Sequence, residues 1–144
     1  MTMKPGPFEG SCATPVIKDW GISGTTPHVS GQRPPTLKLY LVVRSDLPPG
    51  DQAVQAAHAL RAFVAEHPEV DRHWFETSNT LAFLAARDEE HLERLKFEAT
   101  QRGIRFAEFR EPDLGDALTA VAFEPSAGKL VRSLPLALRC STAA

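Results

Sequence analysis

Leu37-Lys38-Leu39-Tyr40-Leu41-Val42-Val43-Arg44, then Ser45-Asp46-Leu47-Pro48-Pro49-Gly50, then an alanine-rich run over 51–66, decide the fold class of this chain. The first stretch begins as an alternation and ends as an apolar run, the pattern of a strand buried on both faces. The second reads as a rigid turn, since two prolines restrict the backbone and Gly50 permits an unusual dihedral. The third lacks glycine and proline and is predicted to be a helix that ends at Pro68.

The rest of the domain repeats that theme. Residues 69–79, with Trp74 and Ser78-Asn79, read as a connection, and 80–86 as a second buried strand. Asp88 is placed to cap a helix over 88–102 whose first turn is acidic and whose last is basic, with Gly103 at the C′ position. Residues 104–109 alternate as a third strand, 111–116 form a polar loop, 118–123 a fourth strand, and 126–133 a short helix. Strands alternating with helices predict an α/β domain with helices packed over a small sheet. The short link between the third and fourth strands suits a hairpin.

Upstream, residues 1–36 hold six Pro, five Gly and eight Ser or Thr, and no apolar period persists. Such a segment buries too little apolar surface to offset the entropy of ordering it, so it is predicted to be a flexible extension; 37–135 is the domain and 136–144 a tail. Neither a signal peptide nor a membrane span is expected, which points to a cytoplasmic protein. Cys12 and Cys140 form no CxxC pair, and the five histidines never fall into HxxxH spacing, so neither a disulfide framework nor a helix-borne metal pair is expected.

On a helical wheel starting at Gln52, residues Ala53, Ala56, Ala57, Leu60, Phe63 and Val64 fall within roughly 20–140° and form the predicted core stripe. Asp51, Gln55, His58 and Arg61 fall on the other side, with Gln55 and His58 three residues apart and able to touch one ligand. Arg44 and Asp46 lie at the carboxyl end of the first strand, where open α/β sheets place their ligand crevices. GxGxxG, GxxxxGK[ST] and GxSxG are all absent, which leaves dinucleotide, P-loop and α/β-hydrolase readings without support.

The run Leu41-Val42-Val43-Arg44-Ser45-Asp46-Leu47, a short turn, and Ala53-Val54-Gln55-Ala56-Ala57-His58-Ala59 resemble the opening of the type 2 peptidyl-tRNA hydrolases, as a divergent member of bacterial type. The stretch Phe109-Arg110-Glu111-Pro112-Asp113 is similar to that family's loop after the third strand. The resemblance implies a three-layer α/β/α sandwich on a four-stranded mixed sheet. It implies hydrolysis of the ester between a peptide and the 3′ ribose of tRNA, without metal or other cofactor. Arg44, Asp46, Gln55, His58 and Arg110 match the family pattern, Glu111 stands where the family has an aspartate, and Thr119 aligns with a family threonine. The first loop is two residues shorter than the family's and lacks its Gly-Lys, with Gly50-Asp51-Gln52 in its place.

Ester hydrolysis needs an activated water, a donor set for the oxyanion and a proton for the leaving hydroxyl. On this reading His58 is the general base, because imidazole titrates near neutral pH. Glu111 or Asp113 orients it or holds water, Gln55 donates to the oxyanion, and Asp46 and Thr119 complete the catalytic set. Arg44, Arg61 and Arg110 hold tRNA phosphates. Charge argues the other way: residues 37–135 carry 12 lysines and arginines against 16 acids, a net charge of −4, whereas phosphate contacts dominate nucleic-acid affinity. Three readings therefore stay open: a hydrolase, a non-catalytic tRNA- or protein-binding module on the same fold, and an adaptor or homodimer joined through the sheet edge or the Trp20 segment.

Overall fold

The computed structural model describes residues 36–139. Residues 1–35 of the predicted extension and both cysteines lie outside them. Strand β1 (Lys38–Arg44) leads into helix α1 (Pro49–Glu66), α2 (Pro68–Thr77), β2 (Thr80–Ala86), α3 (Glu89–Gln101), β3 (Phe106–Glu111), β4 (Ala117–Phe123) and the short α4 (Gly128–Val131). The sheet order is β2-β1-β4-β3, with β1 and β2 parallel and β4 antiparallel to both of its neighbours. One apolar cluster joins α1 and α2 to Leu39, Leu41, Val43, Ala120 and Ala122; the other joins α3 and α4 to Val42, Leu84, Val121 and Phe123. The domain is thus the expected α/β/α sandwich on a four-stranded mixed sheet.

Three local expectations change. The prolines after β1 open a helix rather than forbid one: Pro48 is the N-cap, Pro49 the first helical residue, and Gly50 has ordinary helical geometry. A proline at the first helical position gives up only an N–H that would be unpaired there anyway. Pro68 likewise begins α2, so the expected connection is a ten-residue helix; its Trp74 is buried and donates its indole N–H to Thr80 O at 2.9 Å.

The third change is the buried face of α1. It consists of Gln52, Gln55, Ala56, Ala59 and Phe63, whereas Ala53 and Ala57 are exposed. The stripe is therefore rotated by most of a quadrant from the predicted one. Both glutamines are buried because both amides are bonded: Gln52 donates to Leu47 O at 2.7 Å and accepts from Leu138 N at 3.2 Å. Alanine favours the helix wherever it stands, so Ala53 and Ala57 report backbone propensity while only Ala56 and Ala59 mark burial.

Helix α3 is capped as expected, with Asp88 accepting from His91 N at 2.9 Å and Gly103 in the left-handed region at φ 64°. Beyond α4 the chain runs along the outer edge of β2, where Ala85 N donates to Pro135 O and Ala137 N to Phe83 O. That cover blunts an edge that would otherwise offer unpaired backbone groups.

Candidate active site

The carboxyl ends of β1 and β3 and the amino end of antiparallel β4 lie at one end of the sheet, and most of the expected site residues gather there. A β-bulge sets their arrangement. Phe109 pairs with Ala120 and Arg110 with Leu118, so Thr119 is the extra residue on β4. Strict alternation would turn Thr119 toward α3. The bulge instead puts Thr119 on the α1 face beside Ala120 and sends Leu118 to the α3 core.

Thr119 is fully buried, and its hydroxyl donates to Gln55 Oε1 at 2.8 Å, with Phe109 O a second acceptor at 3.2 Å. Gln55 is also buried and donates from Nε2 to Glu111 Oε2 at 2.6 Å. The other oxygen of Glu111 faces Asp113 N at 3.4 Å. An ionised carboxylate only accepts hydrogen bonds, so its contact with Gln55 fixes the amide orientation, and the amide in turn fixes Thr119 as the donor. A directed chain of hydrogen bonds thus runs from Thr119 through Gln55 to Glu111.

His58 stands one turn beyond Gln55 on α1. It is exposed, and its ring lies flat on Phe109, with centroids 4.4 Å apart and planes inclined by 15°. Arg61, a further turn along, is exposed and has no hydrogen-bond or ion-pair partner among the described residues. Asp113 sits in the exposed 3-10 turn Pro112–Leu114, where its backbone N–H rather than its carboxylate meets Glu111.

Arg44, Asp46 and Arg110 belong to the other face. Arg44 clamps Asp46 through Nε at 3.0 Å and a terminal nitrogen at 2.7 Å, lies 3.6 Å from Glu89, and approaches Leu118 O at 3.5 Å. Glu89 accepts from Leu118 N at 2.8 Å. The Leu118 peptide groups displaced by the bulge are therefore satisfied by Glu89 and Arg44, and this pair supports the turn that aims Thr119. Arg110 is held by Glu93 at 2.6 Å and Glu108 at 2.9 Å, and Lys96 pairs with both of those acids. The expected site residues thus divide into a carboxylate–amide–hydroxyl group facing α1 and an ion-pair network facing α3. The second group was not legible in the sequence; acids at Glu89 and Glu93, one helical turn apart, were its only signal.

The network sets charge states. The hydrogen bond from Arg44 holds the Asp46 carboxyl below the ordinary aspartate range, and the same bond raises the Arg44 guanidinium. Burial pushes Glu93 and Glu108 up, but the bonds from Lys96 and Arg110 outweigh it and leave both below the usual range. Burial, with Arg87 and Arg94 nearby, lowers the His91 imidazole. Asp46, Glu93, Glu108 and His91 each bind protons more weakly folded than unfolded, so each stabilises the fold above its unfolded pKa and loses that contribution as pH falls through the folded value. Stability is expected to decline from about pH 6.5 as His91 is forced to protonate, and more steeply below about pH 4, where the carboxylates follow. Urea midpoints at pH 7, 5 and 3 measure this, and a flat profile would remove the network from the stability of the fold.

Among the described residues no three His, Cys, Asp or Glu side chains converge as a metal ion requires. No described helix is long and apolar enough to cross a membrane. A cavity of about 350 Å³ lies at the opposite end of the sheet, lined by Leu37, Val70, His73, Arg105 and Glu124, and contains none of the expected site residues.

Fold and site together define a class: a mixed-sheet α/β/α domain with a hydrogen-bonded hydroxyl, amide and carboxylate at the carboxyl ends of its parallel strands. The chain belongs to the family described as peptidyl-tRNA hydrolase PTH2, whose sequence model matches residues 37–140. Among solved structures it is similar to a protein of unknown function from Agrobacterium tumefaciens strain C58, with a TM-score of 0.52 and 15% identity over 69% of this chain and 96% of that one. This likeness supports the fold alone. No curated protein matches the chain.

Proposed function

We propose that the protein hydrolyses the ester joining a peptide, or an N-blocked amino acid, to the 3′ ribose of tRNA, and that it acts in the cytoplasm where that substrate arises. Family membership supports hydrolase chemistry on peptidyl-tRNA. The observation that carries the residue assignment is the chain from Thr119 through Gln55 to Glu111, because it holds one carboxylate at the site end of the sheet with a defined acceptor face.

In this reading Glu111 takes a proton from water as the water oxygen adds to the ester carbonyl carbon. The carbonyl oxygen becomes an oxyanion, and the second Nε2 hydrogen of Gln55 is a donor for it. Collapse of the tetrahedral intermediate breaks the bond to the 3′ oxygen, and Glu111 returns the proton to that oxygen. The products are a tRNA with a free 3′ hydroxyl and a peptide carboxylic acid, which releases its proton to solvent. Thr119 is a positioning residue, acting through Gln55. Arg61, without an acid partner among the described residues, is the α1 cation for phosphate. Arg44, Asp46 and Arg110 serve indirectly, by holding the bulge and the end of β3.

Incubation of the full chain with N-acetylphenylalanyl-tRNA at low salt tests this, with release of N-acetylphenylalanine as the expected result. Binding of the tRNA without release would select a non-catalytic module on the same fold. Thr119→Val is expected to lower the rate by about tenfold through loss of one hydrogen bond worth about 1 kcal/mol or slightly more. An unchanged rate would detach Thr119 from the site.

A further inference from the structure

We propose that His58 and Phe109 form a stacking platform for the terminal adenine of the acylated tRNA, so that His58 reads the leaving nucleotide instead of moving protons. The proposal rests on the hydrolase reading of the same site and names the part of the substrate held next to the ester.

Three observations carry it. The His58 ring lies flat on Phe109 at 4.4 Å, and His58 is exposed, so one ring face is covered and the other is open to an incoming ring. The backbone of Phe109 is fixed, because its carbonyl accepts from buried Thr119 and it sits in the β3 ladder opposite Ala120, and its partly buried ring packs against the apolar cluster on the α1 side. A pair of rings held flat in this way presents a rigid π-face, the element that single-stranded nucleic-acid sites use to hold bases without sequence readout. Among the described residues the imidazole nitrogens of His58 have no hydrogen-bond partner, neither a carboxylate to orient the ring nor a backbone group to select a tautomer. A general base of the usual histidine kind has such an orienting group.

Position supplies the third observation. Gln55, His58 and Arg61 succeed one another along α1 at steps of about 4.5 Å, each turned about 60° from the last, from the buried face at Gln55 out to solvent at His58 and Arg61. The order along that line is the amide bonded to the Glu111 carboxylate, then the ring, then the unpaired guanidinium. A 3′-acylated nucleoside 5′-phosphate offers an ester, a planar base and a phosphate at separations of the same order. The substrate class that fits is therefore a 3′-O-acyl adenosine with a 5′ phosphate, the end that every charged tRNA shares. Binding through stacking and one phosphate contact from Arg61 also suits a domain of net negative charge, because it demands little of the phosphate backbone.

Steady-state hydrolysis of N-acetylphenylalanyl-tRNA by wild type, His58→Ala, His58→Gln and His58→Trp tests the assignment. Loss of the ring in His58→Ala and His58→Gln is expected to raise KM by about tenfold to a hundredfold with kcat changed by less than about threefold, and His58→Trp is expected to restore most of the affinity. If all three variants lose kcat while KM holds, His58 carries protons and the platform is overturned. Unchanged KM in His58→Ala overturns it equally. Wild-type protein that leaves the ester intact overturns the hydrolase reading first, and this inference with it.

Discussion

Glu111→Gln is expected to lower kcat for acyl-tRNA hydrolysis by about 10²- to 10⁴-fold, the range in which a positioned acid–base group contributes. The substitution is nearly isosteric, and the new amide oxygen can still accept the hydrogen bond from Gln55 that now measures 2.6 Å. What disappears is the ability to take a proton from water. Glu111 is half-buried at the end of β3 and makes no ion pair among the described residues, so the stability of the fold is expected to change by less than about 1 kcal/mol. Single-turnover rates beside thermal melts separate the two effects. A variant that turns over at the wild-type rate would remove Glu111 from the chemistry and leave the Thr119–Gln55–Glu111 chain as a structural brace.

Asp46→Asn offers the opposite pattern. Asp46 meets Arg44 rather than any group of the α1 face, so its loss weakens the support beneath Leu118 without removing a reacting group. This contrast also marks what the sequence could convey. The strand and helix opening the domain were legible because their patterns are local, an apolar run and an alanine-rich stretch, whereas the Pro-Pro pair between them starts the helix instead of forming a separate turn. The partners of the polar side chains were not, because they lie far away along the chain. Gln55 is satisfied by Glu111 and Thr119, and Gln52 by Leu138 N, across separations of 56, 64 and 86 residues. Polarity alone sends a glutamine to the solvent face of a wheel, and only tertiary partners bring it inside. The bulge at Thr119 left no trace either, since neither glycine nor proline marks it. Nothing near the arginines at the ends of β1 and β3 in the sequence announces that acids of α3 lie against them.

Phe63→Ala is expected to cost about 3–5 kcal/mol, a large share of the roughly 5–15 kcal/mol that holds a domain of this size together. Phe63 has 0% exposure at the centre of the α1–sheet contact, and its ring lies 5.0 Å from that of His67, whose Nε2 meets Phe106 O at 3.0 Å. Truncation therefore leaves a cavity where α1, the turn into α2 and β3 converge. It also loosens the helix that carries Gln55 and His58, so hydrolysis should fall before global unfolding is complete. The melting temperature is expected to drop by roughly 12 °C or more. Ala57→Lys is the informative partner, because the wheel centred on the alanines places that position in the core, whereas the fold leaves it exposed. There the expected change is within about 0.5 kcal/mol, as for a surface substitution on a helix. If Ala57→Lys proved as damaging as Phe63→Ala, α1 would have to sit on the sheet in the alanine-centred orientation. Gln55 would then face water, and the hydrogen-bond chain on which the catalytic assignment depends would be gone.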